Sequence, residues 1–289
     1  MAGIVDAHQH FWDPTKADYP WLTDELAAIR RPFGPTDLAP QLAARNVAST
    51  VLVQTRSSLD ETTEFLALAE ATSFVAGVVG WVDLTQPNVA DEIARLRAGP
   101  GGRHLVGIRH QVHDEPDPDW LGRADVRSGI AAVGATGLAY DLLVRSEHLP
   151  AAVAVARALP DVRFVVDHLA NPPIASGRLE PWASRLRPLG ELANVWCKIS
   201  GMVTQADPIR WQPVDLQPFV DLVLDVFGPR RLLFGSDWPV CLLAGSYEAV
   251  LDAAVTTLRG LTASEREAVF GGTAGEVYGL GVPPMVDRP

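Results

Sequence analysis

Asp6-Ala7-His8-Gln9-His10 ends the first apolar run of the chain with two imidazoles separated by one residue. Alternate residues of a strand share a face, so the two rings point the same way from Cα atoms about 7 Å apart. At the open end of a strand such a pair can bind one divalent ion or orient one substrate oxygen. His-x-His is a weak signal alone, and a second run, Phe164-Val165-Val166-Asp167-His168, strengthens it. With Phe164 and Val166 filling the interior, His168 falls on the inward face and Asp167 points outward to the helices as a structural residue. Leu232-Leu233-Phe234-Gly235-Ser236-Asp237-Trp238-Pro239 supplies a carboxylate in the same kind of place, with Gly235 leaving room inside. Beside imidazoles a carboxylate ionises readily, which suits Asp237 to take a proton from water. Each residue also has an ordinary reading: a satisfied structural histidine, or an aspartate that caps a helix or braces a loop. Only convergence on one pocket decides between them.

Convergence depends on the elements in between. Short β-branched runs alternate with Ala- and Leu-rich helical segments through all 289 residues. Strands are expected over 3–8, 50–54, 74–81, 105–111, 137–143, 163–168, 194–200 and 232–236. Helices are expected near 38–45, 60–71, 89–98, 126–133, 149–158, 178–192, 218–227 and 247–258, with a last one near 264–272 packed outside the ring. Ser58 with Glu61 reads as a capping box, and Gly228-Pro229 as a stop. Eight near-continuous apolar strands, each followed by a helix, are what a parallel sheet covered on both faces requires. A doubly wound open sheet would usually bring an N-terminal glycine phosphate fingerprint, which is missing. The expected architecture is therefore α/β, a single (β/α)₈ TIM barrel spanning 1–289. Closure would set the first strand beside the last, with His8, His10, His168 and Asp237 at the C-terminal ends where such barrels place their catalysis.

The long irregular stretch 9–35 follows the first strand and carries Phe11, Trp12, Tyr19, Trp21 and Phe33. It is either a substrate wall or apolar cover. Net charge is −11, which disfavours nucleic acid and anionic membranes and leaves an anionic substrate to a local cationic clamp. No run of 18 apolar residues and no charged leader with an apolar core is present, so a cytoplasmic location is expected. Cys197 and Cys241 sit in apolar runs and read as buried thiols. A small molecule is the expected partner, and a homo-oligomer is left open.

Substrate contacts are expected from Arg109, on the inward face with Gly107 and Gln111, whose guanidinium can fork onto carboxylate oxygens. Lys198 lies deep in an apolar run, as a rim-reaching contact or the partner of a neighbouring carboxylate, the first being preferred. Arg109 and Lys198 are expected to hold substrate hydroxyls, with Gln54 and Trp12 or Trp238 as walls. His110 and His113 can extend the cluster, His113 with a plain surface reading as well, whereas His104 and His148 read as exposed.

The ordered set Val5-Asp6-Ala7-His8-Gln9-His10-Phe11-Trp12-Asp13, Gly80-Trp81-Val82-Asp83-Leu84, Gly107-Ile108-Arg109-His110, Asp167-His168, Trp196-Cys197-Lys198-Ile199-Ser200-Gly201 and Phe234-Gly235-Ser236-Asp237-Trp238-Pro239 resembles the amidohydrolase superfamily. Within it the wording is similar to the sugar-lactone hydrolases of the amidohydrolase-2 type, which act on fuconolactone or rhamnonolactone, and to their pyrone-dicarboxylate relatives. One departure concerns metal. Metal-dependent members usually carry a histidine on strand five and a Lys or Glu on strand four, where this chain has Asp141, and Arg109 with His110. A binuclear site is therefore unsupported, while His8, His10, His168 and Asp237 could still hold one Zn²⁺. The resemblance includes members that need no added metal, so no cofactor is expected to be obligatory.

The implied reaction is hydrolysis of a small sugar lactone, with Asp237 as general base and then acid and the three histidines polarising the carbonyl. A metal-dependent decarboxylase of an unsaturated or aromatic acid is the nearest rival. A silent barrel that binds a sugar acid is the rival from another class.

Overall fold

The computed structural model describes residues 3–281. Eight strands are present among these residues: β1 Ile4–Gln9, β2 Val47–Val53, β3 Val75–Gly80, β4 Leu105–His110, β5 Ala139–Leu142, β6 Arg163–Val166, β7 Val195–Ile199 and β8 Leu232–Phe234. They pair in chain order and in parallel throughout. The helices are α1 Pro35–Ala44, α2 Leu59–Ala71, α3 Val89–Ala98, α4 Ala124–Ala135, α5 Leu149–Ala158, α6 Trp182–Gly190, α7 Met202–Gln205, α8 Pro213–Phe227, α9 Tyr247–Thr257, α10 Ala263–Glu267 and α11 Thr273–Tyr278. The TIM barrel expected from the alternation is the fold. No helix among the described residues is long and apolar enough to cross a membrane.

Side-chain alternation along the strands builds two cores. Leu52, Val78, Ile108, Phe164, Val166 and Phe234 face outward against helix residues such as Leu38, Phe65, Ile93, Ile130, Leu186 and Phe219. Val5, Ala7, Val51, Val53, Val79, Ala139, Val165 and Leu233 fill the inside. A buried side chain of this kind contributes roughly 1.5–3 kcal/mol. The inner cluster also contains Ala274, Val277, Tyr278 and Leu280, so the terminal segment closes the barrel from the strands' N-terminal side. The expected last helix near 264–272 precedes this plug and keeps Val269 and Phe270 in the outer cluster, whereas the strand–helix alternation does not announce the plug itself. The residues around 264–272 split into α10 and a wide turn at Ala268–Gly272, which redirects the chain beneath β1 and β8.

β1 and β8 meet through few backbone bonds. The Asp237 N–H donates to the His8 carbonyl at 2.8 Å, and the His10 N–H to the Trp238 carbonyl at 2.7 Å. Asp6 reinforces the seam: its carboxylate accepts from the Ser236 N–H at 2.8 Å and from the Tyr247 hydroxyl at 3.2 Å. Burial pushes this carboxyl up to about 6, against the pull of those hydrogen bonds. The seam is what brings His8 and His10 beside Asp237.

Smaller expectations shift for local reasons. β2 starts at Val47 rather than Thr50, because Ala48 and Ser49 are weak strand formers that hid a paired segment. Ser58 caps α2 by accepting from the Glu61 N–H at 3.2 Å. The capping box is only half formed, since the Glu61 carboxylate turns to the backbone N–H groups of Thr55 and Arg56 at 2.8 and 2.9 Å. Both cysteines are buried and free.

Candidate active site

The strand ends carry four donor groups to one point. Asp237 Oδ1 lies 3.3 Å from His10 Nε2 and 3.8 Å from the Nε2 atoms of both His8 and His168. His8 Nε2 and His10 Nε2 are 3.1 Å apart. His10 Nδ1 is 2.7 Å from the Val53 carbonyl, which can only accept, so the proton sits on Nδ1 and Nε2 presents a lone pair. His168 Nδ1 meets the Ser200 hydroxyl at 2.8 Å. Burial, reinforced by Lys198 and His168 and opposed by Asp167, drives the His8 pKa well below the ordinary histidine range, and burial lowers His168 too. Both rings are therefore neutral near pH 7.

The route by which His168 arrives differs from the strand alternation. Val165, not Phe164 or Val166, belongs to the inner cluster. The inward residue at the end of β6 is therefore Asp167, which corrects its assignment as an outward structural residue. His168 turns inward because the chain leaves the strand: His168, Leu169, Ala170 and Asn171 all have φ between 52° and 60°. A left-handed conformation costs L-residues roughly 1–2 kcal/mol each. Four in succession mark backbone strain held at a site.

Beneath the mouth lies a layer of buried ion pairs. Lys198 Nζ is 2.6 Å from Asp141 Oδ2, 2.9 Å from Asp167 Oδ1 and 3.1 Å from His8 Nδ1. Arg109 donates to Asp167 Oδ2 at 2.9 Å and to the Gln54 carbonyl at 2.5 Å, and its Nη1 is 3.3 Å from His8 Nε2. Burial alone would raise the Asp167 carboxyl, but the Lys198 and Arg109 charges hold it well below the usual carboxylate range. Lys198 is fully buried, which corrects its assignment as a rim-reaching substrate contact. Gln54 is fully buried as well and gives its side-chain N–H to the Arg109 carbonyl at 3.2 Å, so it braces Arg109 rather than meeting substrate.

A pocket of about 210 Å³ opens above this layer, lined by His10, Arg109, His168 and Asp237. That is below the roughly 300–1,000 Å³ of drug-sized sites and suits a small ligand. Its walls are Trp21, Thr55, Gln111, His113, Asp114, Asn171, Thr204 and Gln205, with Leu143 and Val240. Three expected contacts lie elsewhere. Trp12 is buried against Trp21 and Phe33 and donates its indole N–H to the Ile29 carbonyl at 3.1 Å. Trp238 packs on Phe11 and Phe33. His110 stacks on Trp120, with Nε2 2.7 Å from Glu115, on the outward side of β4. The aromatic loop thus serves both purposes, with Trp21 reaching the mouth and the others as cover. His113 lines the mouth rather than plain surface, and His148 is buried, its Nδ1 accepting from the Arg145 N–H at 3.1 Å.

The donor set at the mouth fits one divalent ion. Around a zinc ion with bonds of about 2.0–2.1 Å, tetrahedral ligands stand about 3.3 Å apart. Asp237 Oδ1 stands 3.8 Å from the Nε2 atoms of His8 and His168, near that value. His8, His168 and Asp237 offer ligand atoms all within 4.8 Å of one another.

Two glycines make the crowding at the mouth possible. A Cβ at Gly235 would stand 2.7 Å from the His8 Cβ, and one at Gly201, where φ is +61°, 2.7 Å from the His168 ring. Gly201→Ala is expected to cost about 1–3 kcal/mol in urea unfolding and, by displacing His168, to lower turnover on the order of tenfold or more. Wild-type values for both measurements would show that His168 is not held by this contact.

Residues 5–280 match the amidohydrolase family. The chain belongs to it. A Burkholderia ambifaria protein named L-fucono-1,5-lactonase is 43% identical to this amidohydrolase over 100% of this chain and 98% of that protein. A Burkholderia multivorans protein of the same name is 39% identical over 96% and 97%. A crystal structure of a Burkholderia multivorans amidohydrolase with bound zinc is 38% identical, with a TM-score of 0.91 over 96% of this chain and 100% of that one.

Proposed function

We propose that this amidohydrolase hydrolyses a small sugar lactone, with L-fucono-1,5-lactone as the first substrate to test and one zinc ion as the metal. The observation that carries the reading is the Asp237 carboxylate set among three imidazoles on the floor of a small pocket. The two lactonase relatives of 39–43% identity supply the substrate class.

Water attacks the lactone carbonyl carbon from the Asp237 side, and the carboxylate takes its proton. Charge developing on the carbonyl oxygen is stabilised by the Arg109 guanidinium that lines the pocket. The bond from carbonyl carbon to ring oxygen breaks, and the proton passes from Asp237 to that oxygen, giving the open hydroxy acid. His8, His10, His168 and Asp237 would hold the divalent ion, whose positive charge polarises a carbonyl and makes a nearby water more acidic. Sugar hydroxyls are received by Gln111, His113, Asn171 and Gln205, and the ring's apolar face by Trp21 and Leu143.

Acid release is measured on a panel of five- and six-membered sugar lactones and small unsaturated or aromatic acids, with chelated and zinc-restored protein. Turnover of a sugar lactone is expected, reduced at least roughly tenfold by chelation and recovered with zinc. Carbon dioxide release from an acid, with every lactone untouched, would replace this reading by decarboxylation.

A further inference from the structure

We propose that the C-terminal helix belongs to the catalytic device: Tyr278, acting through Asp141 and Lys198, sets the orientation of the His8 ring. This rests on His8 working at the mouth as described above. Tyr278 ends α11 and stands among Ala274, Val277 and Leu280, all apolar, in the plug beneath the barrel. Phenylalanine would fill the same space without a hydroxyl to satisfy, and burying an unbonded hydroxyl is costly. The Tyr278 hydroxyl oxygen is 2.7 and 2.9 Å from the two carboxylate oxygens of Asp141. Asp141, thus fixed, meets Lys198 at 2.6 Å. The ammonium lies against Asp141 and Asp167, and His8 Nδ1 stands 3.1 Å from it.

The column selects which ring edge faces the substrate. His8 Nδ1 points down to Lys198 and to Asp167, 3.3 Å away, while Nε2 points up to His10 and Asp237. Turning the ring over would set carbon atoms against two charged groups and withdraw the nitrogen from the mouth. Tyr278, Asp141 and Lys198 are therefore positioning residues, and every member is buried.

The test compares Tyr278→Phe with Val277→Ala, which loosens the same plug without touching the column. Lactone kinetics and ¹⁵N spectra of histidine-labelled protein are recorded, with His8 assigned through its loss in His8→Gln. Tyr278→Phe is expected to lower kcat about tenfold with KM within about twofold, and to shift the His8 ring resonances while those of His113 stay in place. Val277→Ala is expected to lower the urea midpoint but keep kcat and the His8 resonances. A Tyr278→Phe protein with wild-type kcat and His8 signals overturns the proposal, as does a Val277→Ala protein that loses kcat equally. Should Tyr278→Phe not fold, Asp141→Asn carries the same expectations and the same overturning results. If wild-type protein opens no lactone, the function fails by itself, and the His8 resonances still decide on the column.

Discussion

Asp237→Asn is expected to lower lactone turnover on the order of 10³-fold while leaving the barrel folded, because positioned general-base catalysis contributes about 10²–10⁴. Asparagine matches aspartate in size but cannot take a proton from water. It also suits the backbone: Asp237 has φ of +57°, a conformation asparagine tolerates better than most residues. Its N–H can still donate to the His8 carbonyl, so the β1–β8 seam survives. Circular dichroism and the urea midpoint check the fold, and indicator-detected acid release checks turnover. Zinc titration of the same variant separates a lost ligand from a lost base: restored zinc occupancy without restored turnover is the expected pattern. Near-normal turnover would remove Asp237 from the proton transfer.

The sequence makes the frame of this site legible because chemistry-bearing residues end three apolar runs. A parallel barrel brings strand ends to one rim whatever lies between them. His8, His10 and Asp237 need only the period-2 alternation and the closing of β1 on β8. Asp167 and His168 need more, since consecutive residues on an ideal strand face opposite ways. Asp167 follows Val165 inward, and His168 joins it because the chain departs into left-handed conformation there, which Leu169 and Ala170 in the middle of that run do not announce. The position of Lys198 in an apolar run shows its depth, but its partners Asp141 and Asp167 come from strands distant in the sequence. Trp12 and Trp21 share one loop, and only the loop's path decides which aromatic reaches the pocket. Tyr278 carries no local signal at all. Its meaning comes from a plug that short helices and a wide turn insert under the barrel.

The same ion-pair layer gives the largest expected effect on stability. Lys198 and Arg109 balance Asp141 and Asp167, two positive charges against two negative, all buried. Lys198→Met preserves most of the volume and leaves one carboxylate charge uncompensated. Breaking a buried pair in this way costs about 3–5 kcal/mol, more than replacing both partners together. Lys198→Met is therefore expected to lower the unfolding free energy by about that amount in urea. Lys198→Met with Asp141→Asn restores the charge balance and is expected to recover part of the loss, with a coupling on the order of 0.5–3 kcal/mol in the double-mutant cycle. Activity follows a different course: the double variant still lacks the ammonium beside His8 Nδ1, so recovered stability should come without recovered kcat. If the two effects simply add, the layer is not one electrostatic unit. If kcat returns with stability, Lys198 serves the fold alone and the His8 ring is aimed by something else.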